Sequence, residues 1–205
     1  MIKKMTLAMG ALALASSFGV AAQQMDPALK AMLDSSFEAK GIAKKDRIYP
    51  DEVQALCSDQ AYFNSPEGQK KAIALQEAQL KAIKPPSDGK YLGDWKAGEK
   101  VAQSGRGMTW RDSLDKPNGG SCYNCHQVTK EEISYGTIGP SLLGYGKLRG
   151  NSKEIIEYTW NRINNSKAYN LCSNMPRFAH FNILTEQQIK DVMALLLDPN
   201  SPVNQ

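Results

Sequence analysis

Five residues near the middle of the chain read Cys122-Tyr123-Asn124-Cys125-His126. No other stretch restricts the fold so tightly, because few chemistries suit two thiols three positions apart with a histidine directly after the second. A structural zinc site takes four ligands, usually from two paired clusters. The chain has four cysteines and two histidines in all, and no second C-x-x-C. A thioredoxin-like dithiol sits between a strand and a long helix. Here "KPNGG" precedes the motif, a polar stretch follows it, and no segment alternates cleanly enough to demand a sheet. Covalent haem fits better. The two thiols add to the haem vinyl groups, the intervening pair sets their separation, and His126 reaches the iron as the proximal ligand.

The N-terminus supports that reading. Lys3 and Lys4 precede the apolar run "MTLAMGALALASSFGV", and small residues follow. This is the pattern of a secretory signal peptide over residues 1–22, cut after Ala22. The run is too short to span a bilayer comfortably, and no later segment reaches the length of a membrane helix. The expected product is a periplasmic protein with no membrane span, and c-type haem is attached outside the cytosol. Losing Lys3 and Lys4 from 25 basic residues leaves 23 against 21 acidic ones. That near balance gives no reason to expect a nucleic-acid partner.

The rest of the chain reads as helices. Residues 23–90 form a polar helical extension that suits partner binding, and 91–205 form the haem domain. Within the extension, "DPALKAMLDSSFEAKG" predicts a helix ending at Gly41. In "YPDEVQALC", Pro50 suits the first helical position, with Val53, Leu56 and Cys57 on one face. "SPEGQKKAIALQEAQLKAIK" predicts a third, largely solvated helix, and "KPPSDGK" at 84–90 marks the boundary. Beyond it, a helix is expected over about 94–104 with Gly98, Val101 and Ala102 on one side. An amphipathic helix carries Ile155, Ile156, Thr159, Trp160 and Ile163. The last helix begins with a Thr185/Gln188 capping box and carries the stripe Ile189, Val192, Met193 and Leu196.

A haem iron needs more than His126. The other ring nitrogen of a ligating histidine donates to an oxygen that fixes its orientation. In "GTIGPSLLG", the carbonyl of Pro140 is the natural acceptor. Met175, in the polar loop "CSNMPRF", is the expected distal ligand, and His180 is its rival. Met108 precedes the motif and Met193 belongs to a helix stripe, so both are poorer candidates. A His–Met pair fills both axial positions and favours electron transfer over catalysis at the iron. A haem sensor in which Met175 is displaced is a further reading.

The order of these features, from the Gly98 helix through "CYNCH", "GPSL" and "NMPRF" to a capped last helix, resembles class I c-type cytochromes over about residues 92–198. The fold expected is all-α, a class I cytochrome c fold with a helical N-terminal extension. "SCYNCHQ", "GTIGPSLLGYGKLRG" and "NMPRF" together resemble the SoxX family, the monohaem subunits of bacterial SoxAX cytochromes. The resemblance implies one covalent haem c held by Cys122 and Cys125, with His126 and Met175 on the iron. It implies a heterodimer with a SoxA-like haem subunit, a SoxY-type carrier protein served indirectly, and a small cytochrome c as electron acceptor. The complex would oxidatively join thiosulfate to a carrier cysteine as an L-cysteine S-thiosulfotransferase, with the catalytic centre on the partner. A free-standing periplasmic electron carrier of a respiratory chain is the alternative, although a simple shuttle has no need of the extension.

Cys57 and Cys172 remain after the motif cysteines are assigned. In an oxidising compartment they are expected to pair and tie the extension to the Met175 loop, or else to stand as two unrelated thiols. Arg177 is a candidate partner for a haem propionate, or a surface cation. Trp160 reads as core. Lys130, Lys147, Arg149 and Arg162 form either a docking rim or a scattered solvated face.

Overall fold

The computed structural model describes residues 25–205, so the leader expected over 1–22 lies outside the described residues. Eight α-helices follow one another: α1 Pro27–Ser36, α2 Glu52–Ser58, α3 Gln60–Phe63, α4 Pro66–Lys81, α5 Trp95–Gln103, α6 Tyr145–Arg149, α7 Lys153–Asn164 and α8 Glu186–Leu197. Short 3-10 turns lie between some of them. Among the described residues the one β pairing is a bridge between Lys40 and Ala43. The fold is all-α, as the helical periodicities imply.

The centre of the haem domain is the crossing of α5 and α8. Residues Ile189 to Leu197 are all buried, not only the expected stripe. A helix that is buried all round must find partners for its charges. Lys190 reaches Asp88 at 2.7 Å and Glu186 at 3.0 Å. Asp191 accepts the backbone N–H of Asp94 at 2.9 Å and the side-chain amide of Gln187 at 2.8 Å. The α5 helix starts against α8, with Gly93 N–H donating to the Lys190 carbonyl at 2.9 Å. One turn on, a Cβ at Gly98 would collide with the backbone of Asp191, so the two helices touch main chain to main chain there. The Thr185/Gln188 capping box forms with both of its hydrogen bonds, closing the start of α8.

The extension departs from its sequence reading at two points. The α1 helix stops at Ser36, five residues before Gly41. Gly41 instead turns at φ 54°, where a Cβ would strike the Trp110 carbonyl. Pro50 is not the first residue of α2. Asp51 caps the helix, and Gln54 closes a capping box with it, because a carboxylate that accepts the Gln54 N–H satisfies an otherwise orphaned donor. The boundary segment at 84–90 lies docked on the rest of the chain. The Trp160 indole donates to the Lys84 carbonyl at 2.9 Å and stacks edge-on against Tyr91. Ser87 donates to Glu186 at 2.8 Å.

A second, smaller core joins the extension to the haem domain. Val53, Leu56 and Ala72 pack on Leu171, with Cys57, Tyr62, Phe63, Leu75 and Cys172 around them. Cys57 and Cys172 are joined in a disulfide across 115 positions of sequence. One face of the extension is therefore packed on the chain itself, while Leu29, Met32, Phe37, Ile73 and Leu80 stay exposed. Among the described residues no helix is long and apolar enough to cross a membrane.

Replacing Gly98 with alanine should destabilise the protein by about 1–3 kcal/mol, because the added methyl forces two helix backbones apart. Thermal melts of the variant and the parent, followed by circular dichroism, check this. An unchanged melting temperature would mean that α5 and α8 can part without loss.

Candidate functional site

The motif is a single tight turn. Ser121 enters it at φ 52°, and the N–H groups of Cys125 and His126 both donate to the Cys122 carbonyl, at 3.1 and 2.9 Å. Tyr123 turns inward, 6% exposed, with its hydroxyl 3.3 Å from that of Thr129. That anchor leaves Cys122, Cys125 and His126 on the wall of one cleft.

The loop after the motif is laced to it. Gly136, Gly139 and Leu142 donate their N–H groups to the carbonyls of Tyr123, Cys125 and Gln127, each at 2.8 Å. This lacing brings the Pro140 carbonyl to 2.7 Å from Nδ1 of His126. That carbonyl can only accept, so the proton lies on Nδ1 and Nε2 carries the lone pair. The glycines permit the approach: a Cβ at Gly139 would strike the imidazole, and one at Gly136 would strike the Asn124 carbonyl.

Met175 lies on the same cleft. Two cavities of about 500 and 510 Å³ and a third of about 40 Å³ all have both His126 and Met175 in their walls. The small one is wholly apolar among its neighbours Ala102, Val128, Phe178 and Leu195. The Met175 loop has no regular structure and is held by side chains. The Ser166 hydroxyl donates to the Met175 carbonyl at 2.6 Å, and the Ser173 hydroxyl accepts from the Met175 N–H at 3.2 Å.

The donor set fits haem c. Cys122 packs against the core, and desolvation pushes its thiol up to about 12. An apolar setting of that kind suits a neutral thioether. Among the described residues no three His, Cys, Asp or Glu side chains gather to hold another metal ion. His126, its orientation fixed by Pro140, and the sulfur of Met175 are the groups on the cleft that suit an iron.

Other candidates lie elsewhere. Met193 is fully buried in the core, and the Met108 sulfur accepts from Asn118 at 3.4 Å. His180 packs edge-on against Phe181, off the cleft, and lies 3.3 Å from Arg177. Burial, then the charge of Arg177, pushes its pKa down. Arg177, read either as a propionate partner or as a surface cation, lies neither on the cleft wall nor at the surface. Arg177 is 2% exposed, forms an ion pair with Asp51 of the extension, and lies 3.4 Å from Gln79 and 4.4 Å from the Phe181 ring. Its guanidinium is occupied away from the cleft. The basic residue common to the two large cavities is Arg162, read from the sequence only as a rim cation. It donates to the Ser166 carbonyl at 3.1 Å. Its place in the last turn of α7, beside the core residue Ile163, is the signal that could have singled it out. Lys130 instead reaches the Gln205 carbonyl at 3.0 Å, and Lys147 and Arg149 are exposed.

Two variants test this construction. Gly139→Ala should cost about 1–3 kcal/mol and displace the His126 ring, so that haem spectra show a mixed-spin rather than a low-spin population. An unaltered spectrum would show that the loop yields freely. The second variant concerns Asp51. Burial alone would raise its pKa, but the bonds from Arg177 and the Gln54 N–H outweigh burial and hold it below the usual aspartate value. A depressed carboxyl stabilises the fold above its unfolded pKa, near 4, and that contribution is lost as pH falls through the folded value. Denaturant melts between neutral and acid pH should therefore show a shallower acid loss for Asp51→Asn than for the parent. Equal slopes would mean that the ion pair adds nothing.

The Cytochrome c family model matches residues 116–198, which contain the motif, the laced loop and the Met175 loop. A protein of Aquifex aeolicus (strain VF5) bearing the name "Uncharacterized lipoprotein" is 37% identical over 157 residues, 75% of this chain and 72% of that protein. That span exceeds the haem domain, so the likeness takes in part of the extension as well. With a laced C-x-x-C-H turn, a methionine on the same cleft and an all-α frame, residues 116–198 form a class I cytochrome c domain, which stands behind a helical extension.

Proposed function

We propose that this chain carries one haem c, with His126 and Met175 as its axial ligands, and serves as the electron-accepting subunit of a periplasmic SoxAX-type complex. When bound, the haem supplies a one-electron iron couple. Everything else is done by the chain's own residues. His126 presents Nε2, its other nitrogen held by Pro140. Met175 is presented by a loop that the extension holds from outside. Arg162 offers a positive charge at the junction of the two large cavities, suited to a propionate. With His126 and Met175 both holding it, the iron would supply one-electron transfer rather than a position for substrate. The observation that carries this reading is that His126 and Met175 line the same three cavities.

The assignment to thiosulfate oxidation draws on the resemblance of "SCYNCHQ", "GTIGPSLLGYGKLRG" and "NMPRF" to SoxX chains. In that role the chain pairs with a SoxA-like haem subunit that holds the catalytic centre and joins thiosulfate to a SoxY-type carrier cysteine. The haem held here would supply the route for the released electrons to a small cytochrome c. A second reading is a free-standing carrier of a respiratory chain working at a membrane surface. It is favoured by the name of the Aquifex relative, a lipoprotein.

The test is a pull-down of the holoprotein from periplasm, followed by haem reduction with thiosulfate and carrier protein. A second haem protein should co-purify, and thiosulfate should reduce this haem only when both partner and carrier are present. If the haem stays oxidised with all components present, and a quinol-linked enzyme reduces it instead, the respiratory reading replaces the first.

A further inference from the structure

Behind Met175, between the extension and the haem domain, lies a cavity of about 730 Å³ that shares the wall Cys172–Pro176 with the cleft but none of Cys122, Cys125 and His126. Its walls come from Arg47–Pro50, from α2 and from the segment 167–177. Every charged residue on those walls is basic: Arg47, Lys167 and Arg177. Two of the three are nearly sealed from bulk water, Lys167 at 7% and Arg177 at 2% exposure.

The charges there do not balance. Arg177 has the carboxylate of Asp51. Lys167 has none at ion-pair distance among the described residues, and its ammonium donates one hydrogen bond, to the Leu171 carbonyl at 2.9 Å. An ammonium carries three donors, so two remain for whatever enters the cavity. Asp51 must serve both cations, and its side chain is itself 35% exposed. Burial, then the nearby Arg177, pushes Lys167 down, with Asp51 opposing. Burying a cation without a counter-charge is costly, and the cost falls when an anion joins it.

We propose that this cavity is a binding site for a small divalent oxyanion, held by Lys167 and Arg177 with Arg47 closing the open side. Charge-assisted bonds from ammonium and guanidinium groups to anionic oxygens are the strong kind. Lys167 supplies the free donors, while the exposed Arg47 adds attraction at the mouth and is already oriented by a bond to the Met108 carbonyl at 2.8 Å. The site has Met175 and the Cys57–Cys172 disulfide in its wall. An anion placed there favours the more positive, oxidised state of a haem ligated by Met175 and lowers its reduction potential. Binding itself stands without the assignment to thiosulfate chemistry and without the ligation of Met175.

The experiment titrates sulfate, and separately phosphate, into the oxidised holoprotein at constant ionic strength, with chloride as the replaced salt. Melting temperature reports binding, and spectroelectrochemistry reports the potential. Sulfate should raise the melting temperature above the chloride control and lower the potential over the same concentration range. Lys167→Gln should weaken the apparent affinity by about tenfold or more, the loss expected for one charged hydrogen bond. Arg47→Gln, at an exposed position that tolerates change, should weaken it severalfold and serves if the lysine variant does not fold. Indistinguishable sulfate and chloride curves for the parent overturn the site, as does a parent-like response in both variants. A rise in melting temperature with an unmoved potential keeps the anion site and counts against Met175 as the ligand.

Discussion

The support of one irregular loop decides much of this structure. Met175 sits in a segment without helix or strand, and such a segment cannot position a sulfur atom by its own backbone hydrogen bonds. It is held from three sides: by the Ser166 hydroxyl on the Met175 carbonyl, by Arg177 in its ion pair with Asp51, and by the Cys57–Cys172 disulfide. Two of the three reach into the extension. The second core of Val53, Leu56, Ala72 and Leu171 fills the space between them. The extension thus acts as an external brace for one wall of the haem cleft.

The opposite requirement is met differently. His126 needs no brace from the extension, because the loop Gly136–Leu142 runs beside the motif and shares three backbone hydrogen bonds with it. Each glycine on that path stands where a side chain would meet the motif. One wall of the site is therefore local in sequence and rigid by main-chain bonding. The other depends on contacts more than a hundred residues apart. Variation in the extension should act on the Met175 side of the site and leave the His126 side untouched.

Much of the helical frame was legible from sequence. The capping box of α8 and the apolar face of α7 follow from spacing alone, because both are short-range patterns, whereas the burial of α8 on every side does not. The cofactor motif and the Pro140 acceptor were legible for the same reason, since only 14 positions separate Pro140 from His126. Three features were misread or missed. The α1 helix ends early, at Ser36, where Lys45 donates to the Asp34 carbonyl at 2.7 Å and Tyr49 bonds the Asp34 carboxylate, contacts that no local pattern shows. Pro50 looked like a helix start, but the stronger device was Asp51, whose side chain closes the box with Gln54. Arg177 looked available beside Met175, and nothing local shows that Asp51, 126 positions away, would take it.

The sequence by itself determined the chemistry of the cofactor, because C-x-x-C-H is a local arrangement whose geometry one turn of chain can supply. It determined the helical class and the proximal oxygen as well. The tertiary structure decided how the methionine is held, which arginine faces the cleft, and that the extension braces the haem domain instead of hanging free. Those outcomes depend on charge pairing, disulfide pairing and burial between distant segments, which short-range patterning does not encode.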